Sequence, residues 1–224
     1  MTLKDLKIVQ QLKYSYEQLV SRLNIDRYVD RCMTRVRSLM EINFNPLLVE
    51  PIESSFDYGI WFFRFTANIL LQDIKVHKLT DIKRTGIPSI KYEDRNVRMT
   101  WSMVFPELEI TSHYDLKRKS GNSKRGKIKA NITNLLADVD IRCDLEHLKA
   151  KLHNIRLNTE RKIQVEIQEE IDLGENKLSF QRWRLGSTIL RVVANVYKSN
   201  ILKSVEKAVK ESIEEALRGV DINE

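Results

Sequence analysis

The sequence predicts an α+β fold in which long N- and C-terminal helices pack on a strongly curved antiparallel sheet. Three observations predict it: helical spacing of apolar residues at both ends, two-residue alternation through the middle, and changes of phase inside the alternating runs. With 224 residues, 42% hydrophobic and 31% charged, the chain can bury one large core, and its 7 Gly and 4 Pro are too few for a sandwich of many short strands. A single domain over 1–224 is expected, helical over 1–42, stranded over 60–180 and helical again over 186–218.

At the N-terminus Leu3, Leu6, Val9 and Leu12, then Tyr16, Leu19, Val20 and Leu23, recur three or four residues apart. Asn24-Ile25-Asp26 offers a cap before a second helical run of Val29, Cys32, Met33, Val36, Leu39 and Met40. Its other face is charged, and it should stop near Asn43, ahead of Asn45-Pro46. The stretch from Pro51 to about Tyr58, holding Pro, Ser, Asp and Gly, reads as a connecting loop.

Beyond it the period becomes two. Trp61, Phe63, Phe65, Ala67, Ile69 and Leu71 alternate with mostly polar neighbours, and the apolar positions then turn even at Ile74 and Val76. The same switch separates Val97, Met99, Trp101, Met103 and Phe105 from Leu108, Ile110, Tyr114 and Leu116, with Pro106 between them. A switch of phase inside a strand requires an extra or unpaired residue, hence a bulge and a bend. Ile128, Ala130 and Ile132 followed by Val139, Ile141, Cys143 and Leu145 repeat the pattern, as do Leu148, Ala150 and Leu152 followed by Ile155 and Leu157. Ile163, Val165 and Ile167 give one more strand, Gly174-Glu175-Asn176 a turn, and Leu178–Phe180 a short strand. The closing helix carries Ile189, Val193, Val196, Tyr197, Leu202, Val205, Val209, Ile213 and Leu217 on one face and Lys203, Glu206, Lys207, Lys210, Glu214 and Glu215 on the other. Strands uninterrupted by helices exclude a parallel α/β architecture.

Motifs of chemistry are scarce. Gly121-Asn122-Ser123-Lys124-Arg125-Gly126-Lys127 has phosphate-loop spacing, but Ile128 follows where a hydroxyl is required, and the segment alternates as a strand where that loop opens a helix. It reads as a charged hairpin tip with six cations in eleven residues, Lys117, Arg118, Lys119, Lys124, Arg125 and Lys127. Such a tip suits an anionic membrane surface; the aromatic interleaving of single-strand binders is absent, which disfavours nucleic acid. Cys143, His147 and His153 lack the spacing and the fourth ligand of a zinc site, so no metal and no cofactor are expected. No Gly-x-Ser-x-Gly elbow occurs, and His77, His113, His147 and His153 form no triad by spacing, so the chain is read as a non-enzyme. Cys32 and Cys143 are too few for a disulfide framework. No run is long and apolar enough to span a membrane, and Met1-Thr2-Leu3-Lys4-Asp5 lacks the apolar run of an export signal.

What remains is apolar surface. Trp61, Phe63, Phe65, Trp101, Met103 and Phe105 on the strands, with Val193 and Tyr197 on the closing helix, are the expected lining of an elongated hydrophobic cavity, or else an ordinary core.

The stretch Asn68-Ile69-Leu70-Leu71-Gln72-Asp73-Ile74-Lys75-Val76-His77-Lys78-Leu79, with Val104-Phe105-Pro106-Glu107-Leu108-Glu109-Ile110 and Tyr114-Asp115-Leu116, resembles the tubular lipid-binding superfamily. Within it the chain is similar to the juvenile-hormone-binding and takeout-like proteins and the group 7 mite allergens. Lys78 and Ser112 or His113 stand where that family carries glycines, and the hormone carriers' N-terminal disulfide is lacking, which points to the allergen-like branch. The resemblance implies a long helix wrapped by a curved sheet, forming a tube that carries a lipid, fatty acid or isoprenoid. It also implies an extracellular location, with a cytoplasmic one as the alternative. The competing function is an interaction module whose tube is filled and whose basic tip docks on a membrane or protein.

Overall fold

A computed structural model describes residues 25–60, 63–93, 96–118, 123–144, 149–158, 163–168 and 179–220. Helix α1 (Ile25–Phe44) leads into β1 (Leu47–Val49), β2 (Ile52–Ile60) and β3 (Phe63–His77). A one-turn 3-10 helix (Leu79–Asp81) joins β3 to β4 (Lys83–Glu93). The two longest strands follow, β5 (Asn96–Arg118) and β6 (Ser123–Asp144), then β7 (Lys149–Asn158), β8 (Ile163–Gln168) and the 40-residue helix α2 (Ser179–Arg218).

All eight described strands form one antiparallel sheet. Its spine is the β5–β6 hairpin, paired from Asn96↔Asp144 to Lys117↔Ser123. At about 3.3 Å per residue, strands of this length reach roughly 70 Å, too long for one neighbour to flank, so the outer positions are shared. β3 pairs with β5 from Ala67↔Arg118 to His77↔Glu109, and β4 takes over the same edge from Lys83↔Val104 to Glu93↔Asn96. On the far edge β7 pairs with one end of β6 and β8 with the other. β1 and β2 complete the sheet outside β3.

The expected phase switches are present, and each has a backbone cause. β3 gains one residue over β5 between Gln72 and Lys75, where Asp73 adopts φ 52°. Asp tolerates this left-handed conformation better than most residues, and the side chains beyond it change face. At Pro106 the β5–β6 ladder breaks opposite Asn134, at φ 51°, so both strands change face together and the register survives. Val97, Met99, Trp101, Met103 and Phe105 are therefore buried on one side of the break, and Leu108, Ile110, Tyr114 and Leu116 on the other. β4 carries two extra residues between Thr85 and Ser89, with Gly86 at φ 71°, and β7 carries one near His153. Lys78, where the family resemblance places a glycine, keeps the left-handed geometry at φ 64° and reaches Glu107 through Nζ at 2.7 Å.

Helix α1 forms where the capping and spacing of Asn24–Met40 predict it, and it buries Tyr28, Val29, Cys32, Met33, Val36 and Met40 against the sheet. Arg84 of β4 holds it from outside, at 2.6 Å from Asp26 and 3.0 Å from Asp30. Arg37 Nε donates to the Ile82 carbonyl at 2.9 Å. The C-terminal half of α2 buries Ile201, Leu202, Val205, Val209, Ile213 and Leu217, the face expected from its spacing. Its last turn meets Arg35 of α1, which donates to the Gly219 carbonyl at 3.4 Å, a cation at the negative end of the helix dipole.

Several boundaries differ from expectation. Residues 51–58, expected as a loop, belong to β2 from Ile52 onward, because β3 presents an open ladder and every residue from Ile52 to Ile60 pairs with it. Those backbone hydrogen bonds override the weak strand preference of Ser, Asp and Gly. Strand β4 has no counterpart in the sequence expectation: its polar residues and its Gly86–Pro88 interruption hide the alternation. Strands thus run from Leu47 to Gln168. Ser179 and Phe180 lie in α2, where a strand was expected, and the helix starts before 186. The first helical run, 1–24, and the turn at 174–176 lie outside the described residues.

Candidate functional site

The inner face of the sheet is one continuous apolar surface crossing the Pro106–Asn134 break. Cross-strand pairs line it on both sides: Met99↔Ile141, Met103↔Ala137 and Phe105↔Leu135, then Leu108↔Ile132, Ile110↔Ala130 and Ser112↔Ile128. Nearly all of these residues are buried in a single core that also holds α1 and the C-terminal half of α2. Helix α2, about 60 Å long at 1.5 Å per residue, packs on α1 and on β1, β2, β7 and β8, so it crosses the concave side between the two outer edges.

The expected lining residues that are described fall on separate segments of β3, β5 and α2. Trp101, Met103 and Phe105 are 4%, 0% and 0% exposed, on the β5 segment before Pro106. Phe63 and Phe65 lie on β3 opposite Ile60 and Tyr58 of β2, beyond Ala67↔Arg118 where pairing with β5 ends. The stretch of β5 from Phe105 to Arg118 puts about 40 Å of strand between the two groups. Val193 and Tyr197 fall near the middle of α2, and Trp61 lies outside the described residues.

The basic tip is a hairpin end, as expected. Lys117, Arg125 and Lys127 are exposed there, and Arg118 and Lys124 stand opposite Ala67 and Leu116; Lys119 lies outside the described residues. Arg125 Nε sits 3.3 Å from Asp115 Oδ2, a carboxylate only 7% exposed whose other oxygen is buried with no hydrogen-bond partner. Gly126, the second glycine of the phosphate-loop-like run, serves packing and not anion binding, because an added Cβ would lie 2.7 Å from the Tyr114 ring that covers it.

Cys32 and Cys143 are free, and both are buried. Burial pushes each thiol up to about 11, with Asp144 adding to the effect at Cys143 and the Tyr28 hydroxyl partly offsetting it at Cys32. Cys143 is buried on the inner face whereas His153 is exposed on β7, so no joint ligand set arises from them; His147 lies outside the described residues. Among the described residues no cluster of His, Cys, Asp or Glu is placed to hold a metal ion, and no helix is long and apolar enough to cross a membrane.

One further feature has almost no signal in the sequence. Between β1–β2 and the C-terminal half of α2 runs a groove of about 630 Å³, with Leu47, Val49 and Ile52 along the strand side, Phe44 from the end of α1, and Lys203, Lys207 and Ala208 along the helix side. Its one trace is the Lys203/Lys207 spacing of one helical turn, which resembles any solvated helix face.

The family described as haemolymph juvenile hormone binding protein matches residues 42–224. Among solved structures, Takeout 1 of Epiphyas postvittana is 11% identical with a TM-score of 0.46, covering 86% of this chain and 91% of that one. Lipopolysaccharide binding protein is 12% identical with a TM-score of 0.49, covering 84% of this chain and 36% of that one. No curated protein matches the sequence.

Proposed function

The chain belongs to the haemolymph juvenile hormone binding protein family, and from that premise we propose that it binds and carries an elongated apolar ligand, a lipid, fatty acid or isoprenoid, between α2 and the concave face of the sheet. The observation that carries this reading is the inner face itself, apolar along most of the length of β5 and β6 and opposed by one long helix. A surface of that length is more than a core between two elements needs, and burying an alkyl chain on it contributes roughly 0.8 kcal/mol per CH₂ before ordering costs.

The proposed wall comprises Phe63, Phe65, Val193, Tyr197 and Trp61, with Trp101, Met103 and Phe105 closing the end next to α1. The sequence of α2 supports an apolar wall along the middle of the helix. From Ile189 to Tyr197 it is apolar at Ile189, Leu190, Val192, Val193, Val196 and Tyr197, an arc of about 160° at 100° per residue, with Arg191 and Asn195 opposite, as in a helix that lays one face on an apolar wall. From Lys203 onward the face opposite the apolar one is more heavily charged, with Lys203, Glu206, Lys207 and Lys210, as in a helix with one face in water. The function is carriage, not catalysis, and the proposed setting is extracellular.

The test is uptake. Gently purified protein studied by native mass spectrometry is expected to carry a lipid or to take up a fluorescent fatty acid. Absence of uptake for every apolar probe would overturn the reading. A second reading, docking of the hairpin tip on an anionic membrane, is favoured by the exposed Lys117, Arg125 and Lys127. It predicts salt-sensitive co-sedimentation with anionic vesicles, lost when Lys117 and Lys127 become Glu.

A further inference from the structure

The groove between β1–β2 and α2 differs from the apolar interior because its two walls carry opposite charge. Glu50 and Glu53 project from the strand wall, where β1 gives way to β2 around Pro51. Lys203 and Lys207 line the helix wall one turn apart, and Glu211 a turn further on ends the basic stretch. All five side chains are exposed. Among the described residues no ion pair or hydrogen bond joins Glu50 or Glu53 to Lys203 or Lys207. Opposite charges that face each other across an open groove and stay unpaired are matched by a ligand carrying both signs.

The apolar part of the groove supplies the rest of the ligand's description. Leu47 is buried at the floor, Val49 and Ile52 are half-buried, and Leu48 stands 69% exposed at the lip. β1 and β2 pair only with β3 among the described strands, so on this edge the sheet meets α2 through side chains with no backbone ladder. A seam without a backbone ladder can part by side-chain movement alone, and about 630 Å³ holds a head group with the first carbons of its chains.

We propose that this seam is the head-group site for a zwitterionic phospholipid, its phosphate on Lys203 and Lys207, its ammonium on Glu50 and Glu53, and its chains directed past Leu47 toward the interior. An anionic lipid would meet the carboxylates of the strand wall, and a lipid without a head group would leave all four charges unmatched. The proposal rests on the carrier reading above, and the experiment separates the two.

Full-length protein is incubated with vesicles containing equal parts phosphatidylcholine, phosphatidylglycerol and diacylglycerol of one acyl composition, separated from the vesicles, and its retained lipid identified by mass spectrometry. Phosphatidylcholine is expected to exceed each of the others by on the order of tenfold, the worth of one or two charge-assisted contacts. Lys203→Glu with Lys207→Glu should abolish that preference while diacylglycerol uptake persists. Glu50→Lys with Glu53→Lys should turn the preference toward phosphatidylglycerol. Equal retention of phosphatidylcholine and diacylglycerol by the unmodified protein, or ratios unchanged in both double variants, would overturn the head-group site and leave the carrier standing. Retention of no lipid at all would overturn both.

Discussion

The two halves of the β5–β6 hairpin share one ladder and are built for different loads. Before the break, Asn96–Phe105 and Leu135–Asp144 carry Met99, Trp101, Met103 and Phe105 inward, into the same core as Tyr28, Met33 and Met40 of α1. Beyond it, Leu108–Arg118 and Ser123–Ile132 intersperse the small Ser112, Gly126 and Ala130 among Leu108, Ile110, Tyr114, Leu116, Ile128 and Ile132 on the corresponding positions and collect cations on the exposed side. Large adaptable side chains fill space by themselves, whereas small ones leave the filling to whatever lies opposite. The first half is thus an anchor that fixes α1 and the end of α2, and the second is where room for a ligand is to be sought.

The largest expected contrast is in core truncation. Phe105→Ala should cost about 3–5 kcal/mol in urea unfolding, because a fully buried aromatic leaves a cavity among large neighbours. Leu116→Ala beyond the break should cost less, and its cost should fall further when the protein is loaded with a fatty acid. Equal costs, unaffected by loading, would erase the distinction between the halves.

Next comes pH. Cys143 lies in the anchor half and Cys32 on α1, with thiols held near 11 by burial. Their unfolded values are lower, so above about pH 9 the unfolded chain releases protons first, and stability present below that pH is lost as pH rises toward 11. The loss should be on the order of 2–3 kcal/mol per thiol. Denaturation midpoints measured at about pH 8 and about pH 10.5, on either side of the unfolded thiol's titration, should diverge in the parent protein and much less when both residues are replaced by Ala.

A smaller effect is expected at Gly126. Its added methyl would press the nearly buried Tyr114 ring out of place, so Gly126→Ala should destabilise by about 1–3 kcal/mol. Smallest of all, Arg84→Ala removes the outer clamp on α1. Its ion pairs are with half-exposed carboxylates, and the cost in thermal unfolding should stay below about 1 kcal/mol.

Alternation and helical spacing are properties of neighbours in the chain, so they are legible without the fold. They located α1 between Asn24 and Asn43, the buried face of α2 at Leu202–Leu217, and the bends near Leu71 and Pro106. A change of phase survives in the sequence because a side chain's face depends only on its backbone and the residue before it. The family was legible for the same reason, through short apolar patterns.

Tertiary structure alone decided the rest. Strands β2 and β4 exist because β3 and β5 offered open ladders, a cause that lies many residues away from the Ser, Gly and Pro that argue against them. The residues expected to line an elongated cavity fall on separate segments of a long sheet and on α2, and their spacing is set by strand position, not by residue type. Glu50 and Glu53 face Lys203 and Lys207 only because α2 returns across the sheet to the edge where the chain first entered it. Apolar pattern is written locally and so could be read; the pairing of distant charges is set by how the chain returns on itself.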